Sequence, residues 1–230
     1  METTKDLDRG DATRQVLIEA AITIFARDGY HAARTRDIAQ QAGVNQALIN
    51  YHFKSKQGLY LAVFEYIIGR IQARILPTKN KIQKLLTQHD WQTMNLLERK
   101  TLLVPFLLEI ADGFLDLLTS EETASWAQLI IREQQQPTSA FDFIYTAFFD
   151  SIISAIVGLI QPLRDTGKEE ATMIAFTVLG QMLIWRVGRA GILRKLDWQT
   201  IGRDELKKIE SIVFRNIEAI VFAREVHDER

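Results

Sequence analysis

Apolar residues recur every three to four positions along nearly the whole chain. Leu17, Ala20, Ala21, Ile24 and Phe25 fall at i, i+3, i+4, i+7 and i+8, one stripe of a 3.6-residue helix. Phe141, Ile144, Tyr145, Phe148, Phe149, Ile152, Ile153 and Ile156 make a second stripe. Leu206, Ile209, Ile212, Val213, Ile217, Ile220 and Val221 make a third. No run alternates with period two, no Asn-Gly or Asp-Gly turn joins two β-rich segments, and prolines number only 4. The pattern predicts an all-α fold. Each stripe needs a partner, either from this chain or from a second copy in a two-fold four-helix bundle.

The breakers place the elements. Asp11 suits the N-cap of the first helix and Gly29 its end. Short helices follow at 36–42 and 46–52. Gly43 between them can take the left-handed conformation, and Asn45 can cap the second. Ser55 suits the N-cap of a helix over 57–74 that stops before Pro77. The polar stretch 75–100 reads as loop with partial helix, and helices are expected at 101–118, 122–134, 138–161, 169–189 and 204–225.

Several function classes drop out. The chain has no cysteine, hence no disulfide, zinc ribbon or thiol nucleophile. The polar start METTKDLDRGDATR has no apolar core after it, so we expect no secretion signal and a cytoplasmic protein. The most apolar stretch, 143–163, is interrupted by Asp150, Ser151 and Ser154 and reads as a buried helix, with no membrane partner. His31, His52, His89 and His227 fall in no HExxH, and no GxSxG, GxGxxG or P-loop occurs. Glu121-Glu122 and Glu169-Glu170 lie by expected helix starts, where they suit the dipole. No catalytic residue, metal site or cofactor is expected.

Residues 24–60 carry the functional signal. They read as helix, loop, short helix, Gly-containing turn, short helix, then a basic corner, which is a helix-turn-helix layout. Leu48, Ile49 and Phe53 can pack on Ile38, Ala39 and the first helix, so Gln46, Ala47, Asn50 and Tyr51 point away. Amide side chains there can bond adenine edges, and the Ala47 methyl can meet a thymine methyl. Arg36, Tyr51 and Lys56 can reach phosphates. The chain's formal net charge is −1, yet residues 30–58 carry net +3, from Arg34, Arg36, Lys54 and Lys56 against Asp37. The bland alternatives are a solvated Gln46 and Asn50, a packed His52, and a Phe53 that is plain core.

The segment resembles the TetR family of bacterial transcriptional regulators. Its pattern is met by Ile24-Phe25, Gly29-Tyr30, Thr35, Ile38-Ala39, Ala42-Gly43-Val44, Tyr51-His52-Phe53, Lys56 and Leu59. Two departures are Ala33 and Arg34, where hydroxyl residues are usual, and Asn50 on the reading face, where tyrosine is frequent. IIREQQQPTSAFDFIY (130–145) and GQMLIWRVGRAGILRKLDW (180–198) look like the CecR-type subgroup.

The resemblance implies a helix-turn-helix domain at 1–56 and a larger helical domain at 57–230 for ligand binding and dimerisation. Arg34, Thr35, Arg36, Asn45, Gln46, Ala47, Asn50, Tyr51, His52 and Lys56 would contact double-stranded DNA. Helices at 169–189 and 204–225 would form a homodimer, which would act as a ligand-responsive repressor on a palindromic operator. A small-molecule effector would lie among Phe106, Trp126, Arg132, Phe141, Phe148 and Trp185, an aromatic wall with few polar groups; plain core and surface roles for these residues remain open. The rival readings are a helical ligand-binding or enzyme module with a vestigial DNA domain, and a dimeric scaffold.

Overall fold

A computed structural model describes the backbone of residues 2–222 and the side chains of residues 10–222. Every regular element among the described residues is helical, as the periodicity requires. The order is α1 (Glu2–Ala32), α2 (Thr35–Gln41), α3 (Ala47–Phe53), α4 (Lys56–Gln88), α5 (Leu96–Thr119), α6 (Ala124–Gln135), α7 (Phe141–Ile144), α8 (Asp150–Arg164), α9 (Lys168–Val187), α10 (Arg189–Leu196) and α11 (Arg203–Phe222). A 3₁₀ turn occupies Trp91–Thr93 and a π turn Tyr145–Phe149.

The chain divides into two compact units. The first joins residues 1–72 to 124–148, and the second joins 73–123 to 149–230. In the first, Leu17, Ile18, Ala21, Phe25, Ile38, Leu59, Val63, Phe64 and Ile67 are sealed from solvent. Helix α1 packs on α2 and α6, and Trp126, Leu129 and Ile130 of α6 are buried. In the second, α5, α8, α9 and α11 pack pairwise around Leu103, Ala111, Leu115, Ile156, Ile160, Ala175, Met182 and Ile217. These units group residues by packing, and so cut the chain differently from a functional division at 56/57.

Several boundaries differ from expectation, each for a nonlocal reason. Asp11 is no N-cap, because α1 already runs from Glu2. Helix α4 continues through Pro77 to Gln88. Proline removes one helical hydrogen bond, but packing of the following turns compensates. Ile82 is buried, Thr78 Oγ1 donates to Glu109 at 2.5 Å, and Lys81 and Arg74 pair with Glu109 and Asp116 of α5. Helix α5 starts earlier than expected, at Leu96, behind a capping box in which Asn95 and Glu98 each bond the other's backbone amide. The expected 138–161 helix is split by the π turn. Ile144 and Phe148 are buried in the first unit and Ile152, Ile156 and Leu159 in the second, while Tyr145 is exposed. The stretch Phe141–Arg164 is long and apolar enough to cross a membrane, with mean hydropathy 1.9; its buried residues belong instead to these two cores. Residues 223–225 of the last expected helix lie outside the described residues.

Gly29 breaks α1. Its φ of 78° and ψ of 168° are open to glycine and strained for other residues. A Cβ there would also collide with the Arg132 guanidinium, whose Nη1 donates to the Phe25 carbonyl at 3.4 Å. Gly29→Ala is expected to destabilise the protein by about 2 kcal/mol, the sum of a left-handed backbone and a displaced arginine. Urea unfolding measures this, and a loss below a few tenths of a kcal/mol would mean that the break is not imposed by Gly29.

Candidate nucleic-acid interface

The α2–turn–α3 segment is built by local rules. Helix α2 ends at Ala42, and Gly43 follows at φ +67°. The amide of Val44 reaches back to the Ala39 carbonyl at 3.0 Å and that of Gly43 to the Gln40 carbonyl at 3.1 Å, which closes the helix end. Asn45 Oδ1 accepts from the Ala47 amide at 2.8 Å and starts α3. The two short helices then bury Ile38, Ala39, Ile49 and Phe53, with Leu48 half-buried.

That packing fixes the outward face. Gln46, Ala47 and Asn50 are exposed, and Tyr51 is 72% exposed, unusual for a large aromatic. Arg34 and Arg36 are exposed at the start of α2, and Thr35 is half-buried between them. Gln46 Nε2 donates to Thr35 Oγ1 at 2.9 Å, so the first residue of α2 and the lead-in to α3 are tied together. His52 is half-buried and meets the Tyr51 ring edge-on at 4.9 Å. Lys56 faces the protein more than expected. Its Nζ donates to the His31 carbonyl at 3.1 Å and lies 4.9 Å from the Tyr30 ring centre, and burial pulls its pKa below the usual lysine value.

The exit from α3 is tight. Lys54 takes φ +67° and ψ −34°, and the Ser55 amide bonds the Phe53 carbonyl at 2.8 Å. This is a three-residue turn of the strained positive-φ kind. Ser55 Oγ then accepts from the Gly58 amide at 3.0 Å and caps α4 as expected. Only glycine fits at 58, because a Cβ would overlap the Phe53 carbonyl.

A second layer, which sequence reasoning missed, holds α4 in place. Glu133 is 1% exposed. Its carboxylate accepts from the Tyr60 hydroxyl at 2.7 Å, the Thr138 amide at 2.9 Å and the Thr138 hydroxyl at 3.0 Å. The Tyr60 ring lies 4.7 Å from that of Tyr30 and 4.8 Å from that of Phe25. Further along α4, Gln57 donates to Ser139 Oγ and Gln72 to the Ala147 carbonyl, at 2.8 and 2.7 Å. The only sequence signal was a tyrosine tip and a glutamate at buried helix positions, which does not reveal that they meet across 73 residues.

The six effector-pocket candidates are divided between the units. Trp126, Arg132, Phe141 and Phe148 lie in the first, and Phe106 and Trp185 in the second. Trp126 and Phe148 are buried. Arg132 lies against Gly29 on the wall of a cleft of about 450 Å³ that Tyr30, Tyr60 and Glu133 also line. Among the described residues no cluster of His, Cys, Asp and Glu could hold a metal ion.

The tyrosine sets a pH dependence. Burial first, then the bond to Glu133, push the Tyr60 hydroxyl well above the ordinary tyrosine value of 10.0. A raised acid pKa favours the fold while the unfolded tyrosine stays protonated, and that stability is lost as pH climbs past the unfolded value. Wild type is therefore expected to lose stability above about pH 10. Tyr60→Phe should be less stable at neutral pH by about 1–2 kcal/mol, yet flatter with pH between about 9 and 11. Denaturant midpoints measured across that range check both signs.

Known proteins match both parts of the chain. Residues 17–63 match the family described as "Bacterial regulatory proteins, tetR family". Residues 104–223 match "HTH-type transcriptional dual regulator CecR, C-terminal domain". The chain is 28% identical to the HTH-type transcriptional dual regulator CecR of Shigella flexneri, over 93% of each chain. It is 46% identical to the HTH-type transcriptional activator FasR of Mycolicibacterium smegmatis, over 33% of this chain and 36% of that one. Among solved structures, AibR in complex with isovaleryl coenzyme A and operator DNA aligns with a TM-score of 0.63 at 15% identity, over 89% of this chain and 97% of that one. That likeness concerns the fold.

Proposed function

Since the chain belongs to the TetR family of DNA-binding transcriptional regulators, with a C-terminal domain of the CecR type, we propose that it is a ligand-responsive repressor binding a palindromic operator as a homodimer. The observation that carries the DNA-reading assignment is the exposed face of α3: Gln46, Ala47, Asn50 and Tyr51 point outward while Ile49 and Phe53 are buried. Gln46 and Asn50 would read base edges, with Ala47 against a thymine methyl. Arg34, Thr35, Arg36, Tyr51 and His52 would bind backbone phosphates. Asn45 and Lys56 would support this mainly by holding α3 and the 29–33 segment, since their polar atoms are bonded within the protein. Residues 1–56 then form the DNA-reading part and 57–230 the effector and dimer part of a cytoplasmic protein.

The dimer reading rests on α9. This helix is apolar around most of its circumference, which is expected only where every side is covered. Ala171, Ala175, Val178 and Met182 are buried. Met173, Phe176, Leu183, Ile184 and Val187 form a second stripe that is exposed in the single chain, and Ile212 of α11 is exposed as well. A second copy related by a two-fold axis would cover both. Binding in successive major grooves would require the two α3 helices to lie roughly 34–36 Å apart, one turn of DNA. A small-molecule effector would release the operator by binding more tightly to the state with the wrong spacing.

Operators selected from a random pool, together with a footprint over the gene's own upstream region, test the reading directly. Asn50→Ala is expected to weaken the selected site by about 1–3 kcal/mol and relax its base preference, and Arg36→Ala to weaken all sites alike and lower the salt slope by about one. If Arg36→Ala, Asn50→Ala and Tyr51→Ala all leave affinity unchanged, the face is misassigned. Leu183→Glu combined with Val187→Glu is expected to give a folded monomer in sedimentation, with operator affinity reduced at least about 100-fold through loss of the second half-site. A double variant that stays dimeric excludes the α9 stripe.

A further inference from the structure

One side-chain bond crosses the helix-turn-helix, from the first residue of α2 to the residue that leads into α3. Gln46 Nε2 donates to Thr35 Oγ1 at 2.9 Å. Gln46 is exposed, and its backbone is already helical, at φ −56° and ψ −30°. Asn45 beside it is engaged by the Ala47 amide. Among the described residues, only Thr35 bonds the Gln46 amide group.

A hydroxyl and an amide can bond in two polarities. Either the amide N–H meets the hydroxyl oxygen, or the hydroxyl proton meets the amide oxygen. The two differ by a half-turn of the amide, which exchanges its donor and acceptor ends. A phosphate decides between them. Thr35 is half-buried between the exposed Arg34 and Arg36, the place of phosphate contact in the reading above. Phosphate oxygens take donors, and a hydroxyl has a single proton to give. Once a phosphate holds that proton, Thr35 Oγ1 can only accept. Nε2 of Gln46 is then kept toward Thr35 and Oε1 is turned away, which is the polarity of the bond in this structure.

We propose that Thr35 is a positioning residue that sets the polarity of Gln46, so that Gln46 reads adenine and rejects guanine. The proposal rests on the DNA-reading assignment above and names one base of the operator. Held in this way, Gln46 has its oxygen and one N–H left. Adenine presents the matching pair in the major groove, the N6 donor and the N7 acceptor, whereas guanine presents two acceptors, O6 and N7. A glutamine free to turn could offer guanine its N–H groups. The bond to Thr35 occupies one of them and leaves an oxygen facing an oxygen. The competing role for Thr35 is a phosphate contact alone, without influence on the base.

Operators selected by wild type and by Gln46→Met locate the base pair that Gln46 contacts, because methionine flattens the preference there. That pair is expected to be A·T. Affinities are then measured for the selected operator and for the same operator with this pair changed to G·C. Wild type is expected to prefer A·T about tenfold or more. Thr35→Val, close in shape but without the hydroxyl, should bind both operators more weakly and bring their ratio close to unity. Thr35→Ala is a second hydroxyl-free variant and should do the same. Thr35→Ser returns the hydroxyl and should return the wild-type ratio. The exchange also removes a thymine methyl, but that loss is common to all the proteins and cancels when their ratios are compared. A G·C pair at the Gln46 position overturns the proposal. So does a wild-type ratio in Thr35→Val and Thr35→Ala, which would leave Thr35 a phosphate contact only. Loss of the ratio in Thr35→Ser would assign it to packing and overturns the proposal as well. A selected operator with no pair sensitive to Gln46→Met removes the proposal and leaves the DNA-reading assignment to the other residues of α3. Failure to select any operator removes both.

Discussion

A tyrosine hydroxyl donating to a carboxylate cut off from solvent is the tie on which the helix-turn-helix unit depends. Glu133 has been taken out of water, which is expensive unless its lone pairs are filled. Tyr60 and Thr138 fill them at 2.7–3.0 Å. The cost of breaking such a bond exceeds the gain of making it, because the survivor stays buried and unpaired. Helix α4 is thereby fixed against α6. What lies upstream follows through contact. Tyr60 packs on Tyr30, Lys56 lies over Tyr30 and bonds His31, and Arg132, next to Glu133, closes on the Gly29 break. The start of α4 is joined to α3 by a strained turn at Lys54 and a contact that only glycine at 58 permits. The exposed face of α3 is therefore held by a chain of short-range constraints that ends at one buried hydrogen bond.

The sequence is legible where structure is decided by neighbours along the chain. Gly43 supplies the left-handed turn, Asn45 and Ser55 each accept a backbone amide, and the Ile49–Phe53 spacing sets which side of α3 faces out. All of that is written within about four residues of where it acts. The failures share a different property. Pro77 argues locally for a helix end, but burial of Ile82 and side-chain bonds to Glu109 outweigh one lost backbone bond. The aromatic run 141–156 looks like one stripe, and a π turn shifts its second half onto another core. The grouping of 124–148 with the first unit depends on pairs such as Tyr60–Glu133 and Gln57–Ser139. Nothing near either residue announces its partner. Of the candidate site, the exposed face of α3 was therefore legible in the sequence, while the supports behind it were not.

Helix α9 shows why an apolar pattern alone could not assign its role. Two of its sides are apolar, for different reasons. Ala171, Ala175, Val178 and Met182 serve the core of its own unit, and Phe176, Leu183, Ile184 and Val187 are left for a second surface. A rigid helix cannot rotate to satisfy one side without disturbing the other, because packed interiors do not deform continuously. A second copy covering the exposed side would therefore act on an element with few arrangements open to it. Coupling between dimer geometry and ligand then requires no long pathway. It requires only that the two arrangements of α9 differ in how well each side is covered, and the free energy that a ligand contributes is limited to that difference.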